Sequence, residues 1–281
     1  METENTLSSD FTLALPLPLY DSALESDLLD GSESLRIAEE DSYIDAYFRH
    51  YHPIFPFIYK PTFMAQYHQE RSTDNPRAWA ILLNAVLAMG AWCSSTDIDL
   101  HTEQIFVERA QRDFQQLSIL DPGSVTLIQA LIILSDCYQR LGNPKASWQY
   151  LGIASRMALS LELHKEKVYV NADLHPIDRE IQRRVWWALY CSDSCASKIY
   201  GLPLLLPEDS LITAKPVLNI REEDFTYSSP GVPPERDEIT IYWGLIQQSS
   251  YHRMANSIYR DLLSVGCPNV ADIETLERRI N

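Results

Sequence analysis

The sequence predicts an all-α fold: a single large multi-helix domain behind a disordered acidic N-terminal tail. Three observations carry that prediction. Apolar side chains recur at three- and four-residue spacing from about residue 36 onward, the signature of one helix face. Helix punctuation recurs with them: Ser124 after Pro122-Gly123, Gly142 before Asn143-Pro144, and Gly201 before Pro203. No run alternates like a half-buried strand, and no unit of roughly 20–50 residues repeats.

The elements follow in chain order. Residues 1–35 alternate acids with Leu and Phe around Pro16 and Pro18. Such composition reads either as a solvated linker or as an acidic-hydrophobic activation segment. Residues 36–281 form the folded domain. Ile44, Tyr47, Phe48 and Tyr51 share a helix face, and that helix must stop near His52, because Pro53, Pro56 and Pro61 follow. The apolar residues Phe55, Phe57, Ile58 and Tyr59 between those prolines predict an extended segment packed into a groove.

A second helix is predicted over Arg77–Trp92, with Trp79, Leu82, Leu83, Val86 and Leu87 inward. A two-faced helix is predicted over Thr102–Leu117. Ser124 caps a largely buried helix to Leu141. Asn143 and Pro144 read as the N-cap and first residue of a helix to Leu163. The longest helix is predicted over Pro176–Tyr200, with Ile177, Ile181, Val185, Ala188, Ser192, Cys195 and Ile199 along one stripe. Residues 202–236 carry six prolines and read as loop. A last long helix is predicted over Arg236–Leu263 and a further one from Ala271.

Composition excludes several functions. The chain has 281 residues and a formal net charge of −16. Residues 1–41 hold eleven acids against one base, a net −10 that leaves −6 for the rest. No basic patch stands out, so the chain is not expected to bind DNA by itself. No apolar run reaches the roughly 18 residues of a membrane span, and METENTLSSD lacks the positive start of a secretory signal. No membrane association is expected, and an intracellular protein is. The five scattered cysteines predict reduced thiols.

Catalytic motifs are missing: there is no Gly-x-Ser-x-Gly, His-Glu-x-x-His, P-loop or Gly-x-Gly-x-x-Gly. His50 and His52 flank Tyr51 and cannot share a helix face, so one reads as a surface and the other as a capping histidine. Cys191 and Cys195 share a face but lack further soft ligands at suitable spacing, and read as buried free thiols. Arg179, Arg183 and Arg184, interleaved with Asp178 and Glu180, read as an ion-pair face. Asp193 on an apolar helix needs a partner, and Arg184 or another base is expected to supply it. No catalytic, cofactor-binding or metal-ligating residue is assigned.

Three segments resemble the fungal-specific transcription factor domain, the middle homology region of fungal zinc-cluster regulators. The first runs through Tyr47-Phe48, His52-Pro53, Phe55-Pro56 and Pro61-Thr62-Phe63. The second is a helix with Trp148, Gly152, Ala154, Arg156, Met157, Ala158, Leu163 and His164. The third carries Glu180, Arg183, Arg184, Trp186, Trp187, Tyr190, Asp193, Gly201 and Pro203; Leu202 stands where the family usually has Arg. Gly152 and Ala154 are small enough to let a neighbouring helix approach.

The resemblance implies a regulatory domain, not an enzyme, that works in the nucleus and controls metabolic or secondary-metabolite genes. It implies partners in the transcription machinery or a related regulator, and admits a small-molecule effector. The family's zinc sits in an N-terminal six-cysteine cluster, whereas residues 1–92 here contain no cysteine. No cofactor is therefore expected in this chain. The family domain also normally continues past Asn281. A fragment, a truncated gene product and a regulator without its DNA reader all remain open. The alternative is a soluble helical enzyme or small-molecule binder with an apolar pocket, which a deep pocket with facing carboxylates would favour.

Overall fold

The structure is a computed structural model, and it describes residues 33–94, 100–118, 123–166, 174–265 and 278. Residues 1–32 of the predicted tail lie outside the described residues, as does the predicted helix from Ala271 apart from residue 278, while residues 33–35 of that tail open α1. Among the described residues there are eight α-helices and no strand: α1 Glu33–Ala46, α2 Lys60–Tyr67, α3 Pro76–Ser94, α4 Leu100–Gln115, α5 Val125–Arg140, α6 Pro144–Ser160, α7 Pro176–Tyr200 and α8 Trp243–Val265. The all-α expectation holds.

Local punctuation works as the sequence implied. Ser124 Oγ accepts from the Leu127 N–H at 3.1 Å, and Asn143 Oδ1 accepts from the Ala146 N–H at 3.1 Å. Gly142 and Gly201 take the left-handed conformation, at φ 74° and 65°, and close α5 and α7. α7 starts and ends where predicted. His175 adds a cap the sequence did not announce, its Nδ1 accepting from the Ile177 N–H at 3.3 Å.

The proline-broken segment is shorter than predicted. α1 continues as a π-helical turn over Tyr47–Tyr51, ended by the His52 N–H on the Tyr47 carbonyl at 3.0 Å. Phe57, Ile58 and Tyr59 are buried in extended chain, where Gln129 Nε2 on α5 donates to the Phe57 carbonyl at 2.8 Å. Pro61 does not prolong that segment. It sits in the first turn of α2, where proline's missing N–H costs nothing.

Two other boundaries shift. α6 stops at Ser160 rather than Leu163, because Glu162 turns left-handed at φ 58°. α8 starts at Trp243, seven residues later than predicted. Asn219 holds the preceding chain: its Nδ2 donates to the carbonyls of Arg236 and Glu238 at 2.6 and 2.9 Å, and Thr240 Oγ1 donates to its Oδ1 at 2.7 Å. The predicted single stripe on α7 is also wrong. Arg184 to Ser194 are buried all round, while Cys195 and Ile199 face solvent. The cause is a central position: α5 and α6 pack on α7, and so does α8.

α3 is the other core helix, packed on α4, α5 and the π-helical turn. Its 19 residues are long and apolar enough to cross a membrane by length and composition alone, but just over half of its most apolar 18 residues, 56%, lie buried inside the fold. Gly90 is required there. A Cβ built on it would lie 1.9 Å from the Tyr43 carbonyl oxygen, so only glycine admits the α1 backbone. Gly152, predicted to allow such an approach, meets only the Leu205 side chain at 3.7 Å, an ordinary contact. Residues 202–236 form a strap with two short 3₁₀ turns, at Asp209–Leu211 and Glu222–Asp224. The strap is anchored by buried Leu206, Val217, Ile220 and Phe225.

Candidate functional site

The exposed-looking charges of α7 turn inward. Glu180 and Arg184 lie one turn apart and are both essentially inaccessible, with Arg184 Nε donating to Glu180 Oε1 at 3.2 Å. Two buried charges need more than each other. The Leu218 N–H of the strap donates to Glu180 Oε1 at 3.1 Å, and Arg183 donates to its Oε2 at 3.3 Å. Arg184 reaches the start of α8, donating to the Tyr242 hydroxyl at 2.7 Å with its guanidinium 3.8 Å from the ring centroid. Tyr242 then donates to Glu222 Oε1 on the strap at 3.2 Å. One polar chain thus joins α7, the strap and α8.

Electrostatics agree with that reading. Burial pushes the carboxyls of Glu180 and Glu222 upward, and the Arg184 charge opposes the shift at both. Arg183 binds Glu166 through Nε at 3.1 Å and through a second nitrogen, and Glu166 in turn accepts from the Lys215 N–H at 3.2 Å. These contacts hold the Glu166 carboxyl below its usual range, against the upward push of burial. The cavity beside Arg179 and Arg183 is only about 20 Å³, room for a water rather than a phosphate. The predicted ion-pair face is therefore present, and it faces the strap.

Asp193 departs from expectation. Among the described residues it pairs with no base. Its Oδ2 accepts from the Leu205 and Leu206 N–H groups at 3.0 and 3.3 Å, and its Oδ1 is buried without a partner. Arg184 is committed to Glu180 and Tyr242, so Asp193 serves the strap's main chain instead. Burial raises its carboxyl to about 6, despite those two N–H groups.

His52 also departs from expectation. It ends the π-helical turn, yet it is buried against Tyr47 and Phe48, and both ring nitrogens lack partners. Burial, with the positive charges of Arg184 and Lys60, lowers its imidazole to about 3. His50 is exposed, as predicted. Cys191 is buried as expected but Cys195 is exposed. The remaining marked residues lie as follows. Phe63 is buried against Phe48 and Trp79. Trp187 Nε1 donates to the Lys215 carbonyl at 2.7 Å, and the Pro203 carbonyl accepts from Ser197 Oγ at 3.2 Å. Arg156 is exposed on α6, Trp148 is half-buried there, Pro56 is buried and Pro53 is exposed.

Beside Glu222 opens a groove of about 450 Å³, between α2 and the strap. Tyr59, Pro61, Thr62 and Ala65 form one wall; Arg71, Glu223, Thr226 and Tyr227 are among its other lining residues. Arg71 lies 4.9 Å from the Tyr227 ring centroid, and Tyr227 donates to Asp178 Oδ1 at 2.5 Å. The groove mixes apolar surface from Tyr59, Pro61, Ala65 and Tyr227 with the hydroxyls and charges of Thr62, Thr226, Arg71, Glu222 and Glu223. Its two carboxylates are sequence neighbours, and Glu222 already binds Tyr242. Among the described residues, no group of three or more His, Cys, Asp or Glu side chains converges as a metal site.

The comparisons give the class directly. Residues 44–267 match the fungal specific transcription factor domain, and the chain belongs to that family. It is 33% identical over 240 residues to the lactose regulatory protein LAC9 of Kluyveromyces lactis, covering 83% of this chain and 25% of that protein. It is 28% identical over 188 residues to the transcription factor FBD3 of Gibberella moniliformis, covering 64% of this chain and 25% of that one. It is 30% identical over 167 residues to the acetamidase regulatory protein of Aspergillus fumigatus, covering 58% and 21%. The chain thus spans about a quarter of the length of these relatives. No solved structure matches it significantly.

Proposed function

We propose that this chain is the part of a fungal transcription regulator that sets its output, and that it does so by holding or releasing the strap and α8 against α7. The observation that carries the reading is the double role of Glu222, which lines the groove and accepts from Tyr242. A molecule that takes Glu222 in the groove competes with Tyr242, and so biases one helix packing over another. A ligand shifts such an equilibrium only by its differential affinity for the two packings.

The proposal has the chain work in the nucleus, with proteins of the transcription machinery or a related regulator as partners and a small molecule as effector. The net charge of −16 argues against direct DNA binding by this chain alone. The names of the lactose and acetamidase regulatory relatives support metabolic genes as targets. No catalytic role is proposed, and no zinc of the family's six-cysteine type, since residues 1–92 lack cysteine. The folded domain is taken as 36–281, with residues 1–35 as a tail that adds activation.

A reporter tests this. Residues 1–281 are fused to a heterologous DNA-binding module, with and without residues 1–32, which precede α1. Output above or below that of the bare module is expected, with a drop when 1–32 are removed. Output equal to the bare module with both fusions contradicts the reading.

A further inference from the structure

At the α7–α8 contact a second polar cluster is built around Ser194, which is fully buried. Lys198 Nζ donates to Asn256 at 2.7 Å, which fixes the facing amide atom as the oxygen, Oδ1. Ser194 Oγ lies 2.5 Å from that oxygen, a separation that requires a proton between them, and only the serine can supply it. Ser194 has one proton. Its 2.7 Å contact with His252 Nδ1 must therefore run the other way, with the Nδ1–H donating to Ser194 Oγ. Lys198 donates to the same oxygen. In the neutral ring the opposite nitrogen, Nε2, then carries the lone pair that accepts from the Cys195 thiol. It faces Cys195 Sγ at 3.5 Å, and Cys195 is exposed on α7.

Those two atoms match the bite of a soft divalent cation. A tetrahedral zinc with bonds of about 2.3 Å to sulfur and about 2.0–2.1 Å to imidazole nitrogen sets its sulfur and nitrogen ligands roughly 3.5–3.6 Å apart. The Nδ1–H to Ser194 bond is the kind of outer support that fixes a ligating imidazole's tautomer and direction. We propose that Cys195 and His252 form a two-ligand site for a thiophilic divalent cation of the zinc type. The remaining positions open to solvent and are filled by water. Binding releases the thiol proton to solvent, leaving a thiolate–metal bond that clasps α7 to α8. No third His, Cys, Asp or Glu joins the pair among the described residues, so affinity is moderate. Burial raises the Cys195 thiol, and the nearby Lys198 charge opposes that shift but disfavours the cation.

The full chain 1–281, stripped with a chelator, is titrated with zinc chloride by calorimetry and with cadmium chloride by the cadmium–thiolate charge-transfer band. One cation per chain is expected, with a thermal midpoint that rises with metal concentration. Cys195→Ser should abolish the band and the rise while leaving the metal-free midpoint in place. Ser194→Ala should weaken binding about tenfold, the usual loss when an imidazole's outer partner is removed. Cys93→Ser and Cys267→Ser should change neither. No bound cation in the wild type overturns the proposal, and so does a band that survives in Cys195→Ser or disappears in Cys93→Ser or Cys267→Ser.

Discussion

The guanidinium of Arg184 lies 3.8 Å from the ring centroid of Tyr242 and donates to its hydroxyl at 2.7 Å, bridging 58 residues of sequence. Arg184→Ala leaves Glu180 buried without its main partner, and such losses cost about 3–5 kcal/mol. Tyr242→Phe keeps the ring and removes only the hydroxyl's bonds, costing about 1–2 kcal/mol. Urea unfolding of the two variants should reproduce that order. An Arg184→Ala loss no larger than that of Tyr242→Phe would mean that the Glu180–Arg184 pair is not the anchor.

Asp193 predicts a pH effect. Its carboxyl titrates at about 6 when folded, against 3.8 ordinarily. The folded state therefore holds the proton more tightly, and this contribution to stability is present below about pH 4 and lost as pH rises through about 6. Asp193→Asn keeps an acceptor for Leu205 and Leu206 and carries no charge. Its stability relative to wild type should rise between pH 4 and pH 7 by on the order of 3 kcal/mol at most. A difference that is flat with pH would show that Asp193 is not titrating in the fold.

Gly90 predicts a steric effect without any change in polarity. Gly90→Ala places a methyl 1.9 Å from the Tyr43 carbonyl oxygen, where backbone rather than a flexible side chain must yield. The loss should reach about 3 kcal/mol, the upper end for overpacking, whereas Gly152→Ala should be nearly silent. Thermal melts of the pair decide it, and equal midpoints would contradict the close approach.

His52 predicts a gain. Both ring nitrogens are buried without partners, so His52→Phe removes a desolvation cost while keeping a ring beside Phe48. Stability at pH 7 should rise by about 1–2 kcal/mol. The imidazole is lowered from 6.5 to about 3, so the unfolded chain binds the extra proton, and wild type loses stability as pH falls below about 6.5. That sensitivity should weaken in the variant. A variant less stable than wild type at pH 7 would point to a partner for the imidazole.

The legible parts of this fold were those decided within one turn of chain. Ser124, Asn143-Pro144, Gly142 and Gly201 act on their immediate neighbours, and the sequence located all four. The start of α8 was misread because Asn219 decides it from more than 20 residues away. Glu180 and Arg184 are four apart and their pairing was readable; Tyr242 and Leu218, which complete it, were not. Gly90 looked like one small residue in an apolar run, since nothing local marks the passing α1 backbone. Cys195 was read as buried because its face of α7 depends on where α8 lies. The family marks were legible as a set, yet only Glu180, Arg183 and Arg184 among them reach the polar lock.

In the proposed function, the Glu222–Tyr242–Arg184 lock couples the groove to regulatory output. The most direct measurement compares reporter output from the 1–281 fusion with that of Glu222→Gln and Tyr242→Phe. Folding of each variant is verified by circular dichroism. Both variants should shift output severalfold and in the same direction, since each releases the same contact between strap and α8. Output unchanged in both, with the contact demonstrably weakened by a lower thermal midpoint, would contradict it.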